Sequence, residues 1–159
     1  MARLSDLPLK YRLFMAAYRY RTLPVATYPP LGKPLSAARL AIVTTGALHL
    51  PGQEPFDEEV KGGDYSFRVL PNDVDPQVLL IAHRSEAFDH AGLEADRNLA
   101  FPIDRLREME AAGEVTLAPR HISFMGSITA PGRLLADTAP KAADLLVADG
   151  VEAALLTPV

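Results

Sequence analysis

Four histidines, His49, His83, His90 and His121, and a complete lack of cysteine bound the chemistry that these 159 residues can do. Disulfides, thiolate metal sites and thiol nucleophiles are excluded within the chain. Together with Asp57, Asp64 and Asp89, the histidines could form an acid–base pair or a His/Asp metal cluster. No HxH or HExxH spacing occurs, so the metal stays open and no other cofactor is predicted. His49 and His121 are the catalytic candidates, as proton donors or acceptors. Each reads equally well as a histidine that locks a loop or a strand end. His90 reads as helix-end surface. Thr44, Thr45 and Gly46 follow an apolar segment, and their backbone N–H groups suit an anion. They lack the glycine spacing of nucleotide loops. Ser123 lies two residues after His121, yet no nucleophile-elbow motif surrounds it. Asp64, after Gly62-Gly63, either meets a ligand or caps a turn. The substrate-binding candidates are thus Thr44, Thr45, Gly46, Asp64, His83 and Ser123.

These residues need a scaffold, and the hydrophobic pattern supplies one. Residues 39–45 are short, apolar and partly β-branched, as in a buried strand. Residues 65–70, 78–82, 114–118 and 151–156 read as further strands. Residues 101–113 form the clearest helix, with Pro102 in its first turn and Gly113 at its C-cap. A second helix opens near Pro131-Gly132 and ends near Asp149-Gly150. Pro140 breaks it, and Leu135, Ala139, Ala142 and Leu146 form its expected buried stripe. Asp137 and Lys141 are spaced to pair on its outside. In the helix at 101–113, Asp104 suits the first turn and Arg105 is its candidate partner. A short helix is expected near Glu86–Ala91, a long loop at 44–57 and a loop at 119–126. Strands alternating with helices from residue 39 onward predict an α/β fold of three layers with a mainly parallel sheet, Rossmann-like or flavodoxin-like. In such folds the ligand loops gather at strand ends. Thr44–His49, His83, His121 and the residues after Leu156 are therefore expected on one rim.

Charge divides the chain unevenly. Residues 1–39 carry seven Lys/Arg against one acid, and the rest carry nine against nineteen. The basic part, interleaved with Leu7, Tyr11, Phe14, Met15 and Tyr18, reads as an amphipathic helix from about 8 to 20. A proline-pinned connector with Pro24, Pro29, Pro30 and Pro34 follows it. The expected organisation is an arm and connector over 1–36 and one α/β domain over 37–159. The arm suits docking on protein, in a homo-oligomer or on a partner subunit, and no recognition motif points to nucleic acid. No apolar run is long enough for a transmembrane segment, and the N-terminus lacks an export-signal pattern, so a cytoplasmic protein is expected.

Five segments, read together, carry a resemblance. They are Ile42–Gly52 (IVTTGALHLPG), Gly63–Pro71 (GDYSFRVLP), Phe101–Leu106 (FPIDRL), His121–Gly126 (HISFMG) and Asp149–Val159 (DGVEAALLTPV). In this order the chain resembles the glycine/sarcosine/betaine reductase selenoprotein B family, to which D-proline reductase subunits are related. The resemblance covers most of residues 39–159. It implies reductive cleavage of glycine-, betaine- or proline-type small molecules by a selenocysteine or cysteine, with a partner reductase subunit. It places that redox residue directly after a segment like Leu155–Val159, so the chain is expected to stop short of it, as at a selenocysteine codon read as a stop. A selenol at a strand-to-helix turn gains acidity from the helix amides, and a second thiol resolves its oxidised form. Thr44, Thr45, His49 and His121 would surround it. Two alternatives stay open: a binding or regulatory subunit without turnover, and a metal-dependent or acid–base enzyme using histidine and aspartate.

Overall fold

The strand at residues 39–45 is the axis of the molecule. In the structure, a computed structural model that describes residues 8–18, 28–85 and 88–159, it is β1 (Arg39–Thr44). It pairs in parallel with β7 (Ala153–Thr157) along one edge. Along the other edge it meets β5 (Thr116–Leu117) and then β6 (Arg120–Phe124), both parallel. The strand β3 (Phe67–Pro71) lies antiparallel on the far side of β6. The sheet is therefore mixed but mostly parallel. Two further strands, β2 (Leu48–His49) and β4 (Leu80–Ile81), form a separate antiparallel pair. The α/β class follows the sequence reading. The antiparallel edge and the small second pair do not, because strand direction is set by the connections and not by residue type.

Both faces of β1 are covered. Leu40 and Ile42 pack with Ile103 and Leu106 of the helix α3 (Ile103–Ala111). Ala41 joins Ala142 and Leu146 of the helix α4 (Ala139–Ala148) on the opposite face. This is the period-two alternation of a buried strand. Pro140 stands in the first turn of α4, and a π turn at Leu134–Thr138 precedes it. The π turn shifts the register of the helix surface. Leu135, expected in the buried stripe, is consequently 63% exposed, and Leu134 packs against the core in its place. Lys141 and Asp137 pair at 2.6 Å as their spacing predicts. Asp104 pairs with Arg107 at 3.0 Å, not with Arg105, which turns to Glu108.

The long loop after β1 is held by polar side chains. Asp64 accepts the Asp57 and Ser66 N–H groups and the Ser66 hydroxyl. Arg68 donates to the Glu54 and Pro55 carbonyls and lies over the Phe56 ring. Gln53 accepts the Leu50 N–H and donates to the Val69 carbonyl. Backbone groups that a loop leaves unpaired are met in this way.

The described residues fall into two compact units, one ending at Pro30 and one spanning Leu31–Val159. The first contains the helix α1 (Leu9–Ala17), none of whose residues is buried. The end of the expected arm helix at residues 19–20, Pro24 of the connector, and Glu86 and Ala87 of the expected short helix lie outside the described residues. The short helix α2 (His90–Ala95) starts at Asp89, whose side chain caps it. Among the described residues, no helix is long and apolar enough to cross a membrane.

Candidate functional site

The C-terminal ends of the parallel strands converge on one rim. The Thr45 N–H donates to the Thr157 carbonyl at 3.2 Å, and the Val159 N–H donates to Thr45 Oγ1 at 3.0 Å. The Ala47 N–H donates to the Phe124 carbonyl, and the Ala47 carbonyl accepts the Ala82 N–H. The ends of β1, β4, β6 and β7 are thereby tied together at Thr45–Ala47. The Gly46 N–H bonds back to Thr44 Oγ1 at 3.1 Å. The three N–H groups of Thr45, Gly46 and Ala47 are thus engaged within the protein. The anion cradle that sequence suggests for Thr44-Thr45-Gly46 is instead a strand-end clasp.

Glycines and strain mark the same rim. A Cβ on Gly46 would sit 2.9 Å from Ala100 Cβ. A Cβ on Gly126 would sit 2.8 Å from the Thr45 carbonyl oxygen and 3.1 Å from His83 Nε2. Two non-glycine residues, Ala47 and Ser127, have φ of 52° and 44°. Such residues cost roughly 1–2 kcal/mol each and persist where the surroundings over-determine them, most often at functional sites.

His83 lies on this rim after β4 and is 5% exposed. Its ring stacks on Phe88 with centroids 4.1 Å apart. Nδ1 accepts the Ser85 N–H at 3.2 Å. Nε2 has no hydrogen-bond partner among the described residues. Burial, then the nearby His90 and Arg84, hold its pKa below the usual histidine value. Phe88 also lines a small apolar pocket of about 250 Å³ with Asp89, Leu93, Leu99 and Val159.

His121 sits elsewhere. The sequence places it in a loop at 119–126, but residues 120–124 form β6 and bury it completely. The register explains why. Leu40 pairs with Leu117 and Val43 with Ile122, so β5 and β6 carry two residues more than the facing stretch of β1. This bulge removes a main-chain acceptor, and His121 Nδ1 takes the Ile42 N–H at 3.0 Å in its stead. Nε2–H then points to Asn72 Oδ1 at 3.1 Å. Arg107 holds Asn72 through its carbonyl, and Phe101 meets the imidazole edge to face. Burial, then Arg107, lowers the His121 pKa to about 4.

The other candidates are dispersed. His49 lies in β2, and its Nδ1 lies 3.1 Å from the Leu50 carbonyl oxygen. It lines an open groove of about 1140 Å³ with Glu54, Asp57, Glu58, Glu59, Glu94 and Arg97. Asp64 is the loop lock described above. Burial alone would raise its pKa, but the hydrogen bonds from Ser66 and Asp57 and the charge of Arg68 hold it below the ordinary carboxylate value. Ser123 is fully buried opposite Thr44, and its hydroxyl has no partner among the described residues. The structure thus brings Thr44, Thr45, Gly46 and His83 together and keeps His49, His121 and Asp64 apart. Among the described residues, no group of three or more His, Asp or Glu is arranged to hold a metal. Sequence reasoning passed over Gly126 and Phe88. A glycine ending a motif that ends a strand was the available signal for the first, and none existed for the second.

No protein-family model and no solved structure matches the chain. It is similar to the D-proline reductase subunit gamma of Acetoanaerobium sticklandii, at 33% identity over 135 residues. The match covers 84% of this chain and 54% of the relative, so the chain spans about half the length of the curated relative it matches. That likeness supports kinship with a reductase family.

Proposed function

We propose that this chain forms the strand-end rim of a reductase subunit that takes part in selenol- or thiol-dependent reductive cleavage of a small proline-, glycine- or betaine-type substrate. The observation that carries this reading is the clasp of β1, β6 and β7. It sets Val159 on Thr45, beside Gly126 and His83, and the resemblance to the selenoprotein B family expects the redox residue directly after such a segment. The printed name of the relative favours a proline-type substrate.

In this reading Thr45, Gly46 and His83 face the reacting centre, and Thr44 and Ser123 support it from within the sheet. His121 positions the rim through β1, and Asp64 fixes the loop that borders it. His49 lines the acidic groove as a candidate catalytic residue. The exposed Leu155 and Leu156 on β7 fit coverage by the rest of the subunit or by a partner reductase subunit, completing a doubly wound sheet. A second reading is a binding subunit without turnover, favoured by the engagement of the Thr45, Gly46 and Ala47 N–H groups within the protein.

The test is to read the coding sequence past the codon for Val159 and to express the whole product with selenocysteine decoding. The expected result is an in-frame selenocysteine or cysteine codon next to Val159 and thiol-dependent reduction of D-proline in the presence of its partner subunit. An ordinary stop with no coding continuation would overturn the reductase reading and leave the binding one.

A further inference from the structure

We propose that the acidic groove beside β4 is a docking site for an extended, lysine- or arginine-bearing segment of a partner subunit, which adds to the free edge of β4. The proposal rests on the reading above only for the existence of a partner subunit. The edge comes first. The Ala82 N–H bonds to the Ala47 carbonyl at 3.0 Å, and Leu48 faces Ile81 across the pair. Antiparallel strands alternate bonded and non-bonded pairs, so Leu80 bonds inward to His49 and the Ile81 N–H and C=O point away from β2. Neither Ile81 group has a partner among the described residues. Leu79, two residues earlier, points its carbonyl the same way, and Arg97 Nε donates to it at 3.1 Å. Arg97 and Ile81 both line the groove, so the open edge of β4 borders it. Unpaired strand edges accept an added strand through main-chain bonds.

Charge comes second. Glu54, Asp57, Glu58, Glu59 and Glu94 line the same groove, and none of them forms a salt bridge among the described residues. The cation that faces them, Arg97, directs Nε and Nη1 to the Leu79 and Leu93 carbonyls. His49 comes third, and it calls for a donor. It is 5% exposed and lines the groove. Its Nδ1 lies 3.1 Å from the Leu50 carbonyl oxygen, which only accepts, so Nδ1 carries the proton and Nε2 is an acceptor. Nε2 has no hydrogen bond among the described residues, and unlike His83 Nε2 it is open to solvent. A nearly buried lone pair beside carboxylates is met by an ammonium or guanidinium, whose N–H groups donate to both. Shape comes last. At about 1140 Å³ the open groove exceeds the roughly 300–1,000 Å³ of a small-molecule pocket. Leu80, 47% exposed, offers an apolar floor for the aliphatic stems of lysine or arginine. A main-chain edge, an excess of carboxylates and a bare imidazole nitrogen together describe the seat of a basic polypeptide segment.

The experiment is an NMR titration of the full ¹⁵N-labelled chain with the peptide acetyl-Thr-Lys-Thr-Lys-Thr-amide. The Ile81 amide is expected to shift and to gain protection from hydrogen exchange, and the His49 Nε2 signal is expected to move. The N-methylated peptide keeps both charges, loses the main-chain donors and should bind about ten-fold more weakly. Glu54→Gln with Glu94→Gln should also weaken binding about ten-fold. Glu114→Gln with Asp144→Asn removes the same charge outside the groove and should leave binding unchanged. All four side chains are exposed, so neither pair of changes threatens the fold. A peptide that binds without protecting Ile81, or equal binding by the N-methylated form, would overturn the strand addition. Displacement of the peptide by an equal concentration of spermidine would assign the groove to free polyamines and overturn it too. Peptide bound as expected by a chain whose coding sequence has no continuation would sink the reductase reading and keep the groove. Reduction by the whole product, with the partner subunit held equally tightly after Glu54→Gln and Glu94→Gln, would do the reverse.

Discussion

His121 and His83 are both buried beside the same sheet, and they end in opposite electrostatic situations. His121 replaces a main-chain acceptor lost to a bulge, and both of its nitrogens are used. His83 uses one nitrogen to fix a turn, and the other is buried against Gly126 with no partner among the described residues. The first region is closed, with Arg107, Asn72 and Phe101 around it. The second is bordered by Gly126 and by the strained Ala47 and Ser127. Burial lowers both pKa values, so each imidazole is neutral near pH 7. Neutral charge and burial are therefore shared by a fully bonded imidazole and a half-bonded one. The fate of the second nitrogen separates them.

The comparison breaks most visibly at His121. His121→Ala leaves the Ile42 N–H buried without an acceptor and opens a cavity, so it should cost about 3–5 kcal/mol in urea unfolding. The wild-type chain should also show the histidine in its acid response. Its folded pKa of about 4 lies below the unfolded value of 6.5. The unfolded state then binds more protons between those values, so this stabilisation is complete above pH 6.5 and is lost as pH falls toward 4. The loss amounts to roughly 3 kcal/mol. His121→Gln should flatten that part of the stability profile, and an unchanged profile would show that the imidazole is not held neutral by the sheet.

Gly126→Ala is the next largest. The added methyl meets the Thr45 carbonyl at 2.8 Å in a left-handed backbone, so a loss of about 2 kcal/mol is expected from strain and displacement together. The same change at Gly113, which has open space around its Cβ, should cost only its backbone part. Equal losses at the two sites would mean that the contact of Gly126 with Thr45 has slack, and thermal melts of the pair decide it.

Much of the scaffold was legible because it rests on local pattern. The apolar run of β1, Pro102 and Gly113 around α3, and Pro140 in the first turn of α4 are each local signals that the fold obeys. The site was legible in part. Thr44–Gly46 and His83 follow strands, and they do reach one rim. His121 was placed wrongly in a loop, because Pro119 reads as punctuation, whereas here it lies between β5 and β6 and takes the Asn72 N–H on its carbonyl. A bulge depends on register between strands about 80 residues apart, and nothing in the segment itself encodes that. Leu135 failed for a related reason, since the π turn before Pro140 rotates it outward.

Smaller changes sharpen the contrast at the rim. Ser127 is half-buried with φ 44°, so Ser127→Gly should relieve strain and gain about 0.5–1 kcal/mol in stability. If Ser127 instead proves destabilising to replace, the left-handed turn is held by its side chain and not merely tolerated. Ser123→Ala is the smallest expected effect and the most pointed. The Ser123 hydroxyl is fully buried on β6 opposite Thr44 and has no partner among the described residues. Removing a polar atom that makes no bond returns its desolvation cost, so stability should stay level or rise by about 1 kcal/mol. His83 Nε2 and Ser123 Oγ are the two such atoms among the described residues, yet they differ in what lies before them. Gly126 packs directly against His83 Nε2, where a Cβ would lie 3.1 Å away, whereas Ser123 faces Thr44 inside the sheet. A lower melting temperature for Ser123→Ala would show instead that the hydroxyl is bonded in solution and that its loss leaves a partner unpaired.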